Sequence, residues 1–332
     1  MDVKGASASG KSTIRPQQRQ LAERLDIPWE DFALISPDYW RKYLLDYNSL
    51  GEDYKYSAML TGAELEIIDK KLDLHMARKA SKGQMSHLLI DRFRFDSFTV
   101  DIDKTTDSTL LSRFGDRVFL FFMVTPPVET VERAWLRGIE TGRYKAVDDL
   151  LYHNVEAFTG MPALFLSWVN SRNKEVHFEF LDNDVPLGEL PGTAAFGCNG
   201  SMTILDINLM LNIDRYRQVD ISAQRPEQVL KTSDNSSGKQ TNFIQQCSRK
   251  VLRLEFADRD TLYIYARVDK GRLTWWDKDF IENKITDPEQ RQVLAEFGYT
   301  AEECSNTHEH EPTRINHEHQ SQFTVGQWGT TG

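Results

Sequence analysis

The stretch Gly5-Ala6-Ser7-Ala8-Ser9-Gly10-Lys11-Ser12 is a complete G-x-x-x-x-G-K-S motif close to the start of a chain of 332 residues. Its two glycines allow a tight turn that points successive backbone N–H groups at one anion, and the following helix adds its positive end. Lys11 is expected to hold the β- and γ-phosphates of a nucleotide, and Ser12 a Mg²⁺ ion. The motif, extended by Thr13, therefore predicts a nucleotide-binding loop.

A loop of this kind normally follows a buried strand, and only Met1-Asp2-Val3-Lys4 precede Gly5. We therefore expect a first strand that is short or truncated, with the natural protein extending upstream of Met1.

Downstream of the loop, apolar residues alternate between helical and strand spacing. The patterns predict, in order, helix 13–25, strand 31–36, helix 64–80, strand 87–90, strand 117–124, helices 128–139 and 147–158, and strand 175–180. Strand 117–124 is apolar on both faces, which is typical of a central parallel strand. The alternation predicts an α/β fold over residues 1–212: a doubly wound, mostly parallel sheet of the P-loop kinase type.

A smaller C-terminal α+β appendage is expected after residue 212. Within residues 213–303, three strand patterns joined by polar turns predict an antiparallel meander at 251–256, 262–268 and 273–276. Trp275 and Trp276 form either a stacking platform or the small core beneath that meander. Residues 304–332 are predicted to be a polar, loosely held tail.

Composition excludes several classes of protein. The 50 acidic and 40 basic residues give a net charge of -10, which argues against binding the backbone of nucleic acids. No apolar run is long enough to span a membrane, and no signal peptide is recognisable. Three widely spaced cysteines without a C-x-x-C pair indicate neither a disulfide framework nor a zinc ribbon. We expect a cytoplasmic protein, although delivery into another cell stays open.

A candidate catalytic base lies in Ser36-Pro37-Asp38-Tyr39-Trp40-Arg41, just beyond the second predicted strand. Doubly wound proteins bind ligands at this edge of the sheet, so Asp38 can accept the proton of a substrate hydroxyl and Arg41 can contact the substrate. The alternative for Asp38 is a helix N-cap.

Asp91 follows the apolar strand 87–90, where a carboxylate can orient water on Mg²⁺. A turn residue is the alternative. Arg92 and Arg94 come next and either contact an anionic substrate or remain solvated or ion-paired.

Arginines on a predicted helix and on the segment after it form a candidate cationic lid. Arg133 and Arg137 share a helical face, and Arg143 follows between glycines that would let the segment close. Arg137 and Arg143 would then stabilise the transferring phosphate. The alternative is ion pairing of these arginines with neighbouring glutamates, namely Glu129, Glu132 and Glu140.

The motif Gly5–Ser12, the segment 36–41 and the segment Arg137-Gly138-Ile139-Glu140-Thr141-Gly142-Arg143 together resemble zeta-toxin-like kinases over roughly the first 200 residues. The resemblance implies that Asp38 is the catalytic base, that Lys11 binds phosphate and that Arg137 and Arg143 engage the nucleotide. It also implies a possible antitoxin partner. Well-studied members phosphorylate a nucleotide sugar, but residues 91–94 depart from the family's sugar-binding segment.

We therefore expect a Mg²⁺-dependent phosphotransferase that uses ATP or GTP and a small-molecule hydroxyl acceptor. Two alternatives stay open: a nucleotide hydrolase or switch, and a non-catalytic nucleotide-binding regulatory or effector module. A hydrolase releases phosphate without an acceptor, whereas the non-catalytic module binds nucleotide without turnover.

Histidine pairs near the C-terminus offer a separate candidate metal site. The pairs His308-Glu309-His310 and His317-Glu318-His319, with Cys304 nearby, either bind a transition metal or belong to a solvated tail. The remaining histidines in predicted elements are expected to be structural, among them His75, His87, His153 and His177.

Overall fold

The computed structural model describes residues 1–57, 61–91, 115–142, 144–186, 188–230, 243–299 and 313–329. A ten-stranded sheet runs through these residues, in the order β10-β9-β8-β7-β6-β5-β4-β1-β3-β2. Its strands are β1 (Asp2–Lys4), β2 (Phe32–Ile35), β3 (His87–Ile90), β4 (Arg117–Val124), β5 (Glu175–Asp182), β6 (Gly192–Cys198), β7 (Ser201–Ile204), β8 (Arg253–Ala257), β9 (Ile264–Asp269) and β10 (Arg272–Trp276).

The longer helices are α1 (Arg15–Arg24), α2 (Pro37–Leu44), α3 (Gly62–Ala80), α4 (Pro127–Thr141), α5 (Val147–Trp168), α6 (Ile207–Tyr216), α7 (Phe243–Lys250), α8 (Lys278–Lys284) and α9 (Pro288–Glu296). Short helical turns occur at Lys11–Ile14, Trp29–Asp31, Tyr47–Leu50, Gly51–Tyr56, Pro226–Gln228, His317–Gln320 and Ser321–Phe323.

Five strands form a parallel block, in the order β2, β3, β1, β4 and β5. Their carboxyl ends therefore meet at one edge of the sheet. β1 has only three residues, yet it lies between β3 and β4. The prediction of a mixed α/β fold with a large parallel block is confirmed, and β4 is central, as its apolar pattern indicates.

Both faces of the sheet are covered, because alternate residues of β4 point to opposite sides. Leu120 and Phe122 belong to a core that includes residues of α3, α5, α6 and α7. Phe119 and Phe121 belong to a second core, which includes Leu21 of α1. The flanking helices are thus arranged as in a doubly wound fold.

The C-terminal half continues the same sheet. β6 and β7 form an antiparallel hairpin whose turn, Asn199-Gly200, has positive φ at both residues (34° and 79°), as a tight hairpin turn requires. β8 pairs in parallel with β7, and β8, β9 and β10 are antiparallel neighbours. The sequence patterns missed β6, β7, α6 and α7. The small residues of Gly192-Thr193-Ala194-Ala195 lack the branched apolar pattern of a typical strand.

The tryptophan pair of β10 contributes to packing. Trp276 is buried in the main core with Tyr265, and Trp275 is partly buried against a smaller core around Phe196. The core interpretation of Trp276 is thus confirmed.

The C-terminal segment is held to the sheet over residues 313–329, so the expectation of a loose tail is wrong for this part. The buried carboxylate of Glu179 accepts hydrogen bonds from the backbone N–H groups of Val325 (2.7 Å) and Gly326 (3.0 Å). Arg24 donates to the carbonyl oxygen of Thr324 at 2.6 Å. The segment is thus held by backbone hydrogen bonds, which a hydropathy pattern does not report, and by Val325, which is buried in the second core with Phe323 packed against it.

Within the part of the chain that the structure describes, no helix combines the length and the apolar character needed to cross a bilayer.

Candidate functional site

The Gly5–Ser12 loop begins where β1 ends, at the carboxyl edge of the parallel block. A Cβ on Gly5 would lie 2.9 Å from Met123 Cβ and 3.2 Å from the Met123 carbonyl oxygen, so β4 leaves room only for glycine. Gly10 has φ of 82° and would place a Cβ 2.6 Å from Asn183 Nδ2. Both glycines are thus required by close packing and backbone conformation.

Residues that follow the neighbouring strands form hydrogen bonds with the loop. The carbonyl oxygen of Ser9 accepts hydrogen bonds from Asn183 Nδ2 (2.8 Å) and Thr125 Oγ1 (3.1 Å), which follow β5 and β4. Lys11 folds back across the loop, where its Nζ donates to the carbonyl oxygens of Gly5 (3.1 Å) and Ala6 (2.7 Å). The loop is thus anchored to the sheet, and the Lys11 ammonium lies over its backbone.

Four cationic side chains from separate segments lie near this loop, and we call them the basic cluster: Lys11, Arg41, Arg137 and Lys145. Burial lowers the pKa of Lys145 to about 8; Asp149 opposes this shift, whereas Arg137, Lys11 and Arg41 add to it. Positive charges held this close together repel one another. The cluster therefore favours the binding of an anion, which would reduce this repulsion.

His153 of α5 is in contact with this cluster. Its Nδ1 lies 2.5 Å from Lys145 Nζ. Burial, followed by the charges of Lys145 and Lys11, lowers the pKa of His153 to about 4, against an opposing effect of Asp149. The imidazole is therefore neutral at physiological pH and can accept a hydrogen bond from Lys145.

The sequence-predicted arginines separate into different roles. Arg41 Nε donates to Thr61 Oγ1 at 3.2 Å, and both Arg41 and Arg137 act electrostatically on Lys145. Arg133 instead donates to the carbonyl oxygens of Asn183 and Val185, both at 2.9 Å. Its guanidinium fixes the chain after β5, and its Nε lies 3.9 Å from Glu129 Oε2, the ion-pair partner that the sequence offered as the alternative to a lid role. Arg92, Arg94 and Arg143 lie outside the described residues.

Asp38 is the second residue of α2, which begins directly after β2 at the carboxyl edge of the sheet. Ser36 occupies the N-cap position of this helix, so the N-cap alternative does not apply to Asp38. The structure describes the backbone of Asp38 but not its side chain.

Asp91 follows β3, the neighbour of β1, and its Oδ2 lies 3.3 Å from Arg15 Nη2 of α1. Ser12 lies on the helical turn that leads into α1. The carboxylate of Asp91 and the hydroxyl of Ser12 are oxygen ligands, which Mg²⁺ prefers in nucleotide sites. The two residues are therefore chemically suited to hold this ion. Occupation by Mg²⁺ would require Asp91 to exchange its contact with Arg15.

Sequence reasoning missed several residues of the site, namely Arg15, Thr125, Lys145, His153 and Asn183. Thr125 and Asn183 could have been found, because each is a polar residue directly after an apolar strand at the ligand-binding edge. Lys145 and His153 carry no such signal, since only tertiary folding brings the start of α5 to the loop.

The histidines of the C-terminal segment do not share a contact in the described residues. The ring of His317 packs against Trp328 and that of His319 against Phe323, at centroid distances of 5.1 and 5.8 Å. Cys304, His308 and His310 lie outside the described residues, so a site that includes them stays a prediction.

Comparison of the chain with protein-family models, with curated proteins and with solved structures found no match. The chemistry of the site is therefore inferred from its own residues.

Proposed function

We propose that the chain is a Mg²⁺-dependent P-loop kinase that transfers the γ-phosphoryl group of ATP or GTP to a hydroxyl of a small-molecule acceptor, in the manner of zeta-toxin-like kinases. One observation carries the proposal. The Gly5–Ser12 loop and the basic cluster converge at the carboxyl edge of a parallel sheet, where anionic ligands of such sheets bind.

Each residue has a role that its position supports. The loop amides and Lys11 bind the nucleotide phosphates, and Lys11 exchanges its contacts with loop carbonyls for phosphate oxygens. Arg137 and Lys145 stabilise the charge that develops as the phosphoryl group moves. Asp38 orients the acceptor hydroxyl and accepts its proton. Mg²⁺, held by Ser12 and Asp91, would neutralise charge on the phosphates.

The Asp38→Asn variant tests the proposed base. Asparagine keeps the size of the side chain but cannot accept a proton, so phosphoryl transfer should fall about 10²- to 10⁴-fold while nucleotide affinity changes little. The measurements are transfer of labelled phosphate to acceptors in a cell extract and nucleotide binding by calorimetry. Asp53→Asn, a change in the short turn Gly51–Tyr56 outside the site, is the matched control.

Full transfer by Asp38→Asn in the presence of the acceptor would exclude Asp38 as the base. Phosphate release by the unmodified protein without any acceptor would favour a hydrolase. Tight binding with neither release nor transfer would favour a non-catalytic module.

A second prediction concerns the pH dependence of nucleotide binding. The pKa of Lys145 is lowered to about 8, so raising the pH from about 7 to about 9 removes its charge in the free protein. A bound phosphate favours the charged form, so affinity is greatest below this pKa and should fall roughly five- to tenfold across the range.

The Lys145→Arg variant provides the comparison, because a guanidinium stays protonated throughout this range. Its nucleotide affinity, measured by calorimetry at the same pH values and constant ionic strength, should change much less. An equal fall in both proteins would show that Lys145 is not the titrating group.

A further inference from the structure

A cluster of three potential metal ligands lies at the edge of the sheet opposite the Gly5–Ser12 loop. Glu175 begins β5, His177 is two residues further along it, and Cys198 ends the antiparallel strand β6. Residues i and i+2 of a strand share a face, and His177 is the direct cross-strand partner of Cys198. The backbone therefore directs all three side chains to one side.

The donor atoms of these side chains converge. His177 Nε2 lies 2.7 Å from Glu175 Oε1 and 4.0 Å from Cys198 Sγ, and all three atoms lie within 4.8 Å of one another. Tetrahedral zinc with ordinary bond lengths separates a nitrogen from an oxygen ligand by roughly 3.3 Å and a nitrogen from a sulfur ligand by roughly 3.6 Å. Shifts of about half an ångström in side-chain position would thus meet both values.

The surroundings keep the cluster in place. The imidazole of His177 is stacked between the rings of Phe119 and Phe323, at centroid distances of 4.8 and 4.4 Å. Arg117 Nε donates to the second carboxylate oxygen of Glu175 at 2.8 Å, which leaves Oε1 directed at His177. These contacts orient the ligands much as outer-shell partners do in known metal sites.

The turn after Cys198 is also fixed. Asn199 Oδ1 accepts from the backbone N–H of Val176 at 2.5 Å, and its Nδ2 donates to the carbonyl oxygens of Ser171 and Lys174, both at 2.8 Å. The cysteine is therefore carried on a hairpin tied to the start of β5. Sites built on strands and supported in this way hold their geometry well.

An ion-pair network of Arg117, Glu175 and His177 explains the carboxylate and the imidazole without a metal. It does not explain why a thiol sulfur lies beside the same imidazole nitrogen. Sulfur, imidazole nitrogen and carboxylate oxygen together are the ligands of zinc and related transition metals, and are unsuited to Mg²⁺ or Ca²⁺. Thiolate and carboxylate would balance the charge of a divalent ion.

We propose that Glu175, His177 and Cys198 form a three-residue site for Zn²⁺, independent of the proposed nucleotide site. Binding forms three metal–ligand bonds and releases one proton, from the Cys198 thiol. The neutral imidazole of His177 binds through Nε2 and carries its proton on Nδ1. Glu175 is 41% exposed, so solvent can supply a fourth ligand. An open position of this kind is typical of zinc sites with three protein ligands.

Cobalt titration of the reduced 332-residue chain tests this site, because Co²⁺ can take the place of Zn²⁺ and a cobalt–thiolate bond absorbs in the near ultraviolet. We expect a charge-transfer band at one equivalent of Co²⁺ that Zn²⁺ abolishes. Cys198→Ser should remove the band, and competition with a coloured chelator should show Zn²⁺ affinity lowered about 10- to 100-fold. Cys304→Ser and the double variant His317→Gln/His319→Gln should keep the band.

Glu175→Gln is a second variant on an exposed side chain, and it should weaken Zn²⁺ binding without preventing folding. The proposal is overturned if no cobalt–thiolate band forms, if Cys198→Ser retains the band, or if the changes in the C-terminal segment abolish it. At the same Zn²⁺ concentration, the melting temperature of the unmodified protein should also rise more than that of Glu175→Gln or Cys198→Ser.

Discussion

Replacing Lys11 with alanine is expected to lower phosphoryl transfer about 10²- to 10³-fold. The Lys11 ammonium is positioned over the Gly5–Ser12 loop, where it donates to two backbone carbonyl oxygens. When a nucleotide is bound, the Lys11 ammonium would contact its phosphate oxygens through charge-assisted hydrogen bonds. These bonds strengthen as charge develops in the transition state. In the alanine variant, a water molecule in place of the Lys11 ammonium would carry no net charge and would stabilise the transition state less.

The experiment uses labelled ATP, Mg²⁺ and a cell extract, and it compares the products formed by the unmodified protein and by Lys11→Ala. A labelled small molecule should appear with the unmodified protein and be nearly absent with Lys11→Ala. Lys250→Ala changes an exposed lysine at the end of α7, away from the loop, and should leave the product unchanged. Equal labelling by Lys11→Ala would contradict the proposed role of the loop.

Replacing Phe165 with alanine is expected to lower the free energy of unfolding by about 3–5 kcal/mol. The ring is 1% exposed and is surrounded by the rings of Phe122, Phe178, Phe180 and Phe243, at centroid distances of 6.3, 4.8, 5.4 and 5.8 Å. Truncation would remove these contacts and leave a cavity that the sheet and helices fill only in part.

Denaturant unfolding followed by fluorescence and circular dichroism measures this loss. Tyr152→Ala is the matched control, because Tyr152 lies on the same helix but is 55% exposed, and it should change stability by less than about 1 kcal/mol. A Phe165→Ala protein as stable as the control would show that this aromatic cluster contributes little.

The same variant tests whether the two halves of the chain unfold together. Phe243 belongs to the C-terminal half, whereas Phe122 and Phe178 lie in the parallel block, and all three pack on Phe165. Since the sheet is also continuous across residue 212, we expect a single transition. Two separate transitions would instead support the division into residues 1–212 and 213–303.

The parallel block could be predicted because its signals are local. Residues 118–124 are all apolar, so only burial on both faces suits them. The loop after β1 was recognised from its glycines, although β1 itself has three residues. Helix patterns predicted α3, α4 and the first part of α5, but α5 continues to Trp168, beyond the predicted end at 158.

The antiparallel half was harder to predict for a physical reason. β6 contains mostly small residues, and β7 has four residues, so neither carries a strong period-2 pattern. They form strands because β5 and β8 offer backbone hydrogen bonds on either side. The C-terminal segment is similar, since its binding to Glu179 uses backbone N–H groups rather than apolar side chains.

The sequence by itself determined the glycine-containing loop Gly5–Ser12 and the parallel strands around it, because glycine spacing and apolar runs act over a few neighbouring residues. Only the tertiary structure decided which charges surround that loop. It brought Lys145 and His153 to Lys11, assigned Arg133 to a structural role and joined Cys198 to His177. Such contacts link residues far apart in the chain, and only the packing of strands and helices determines them.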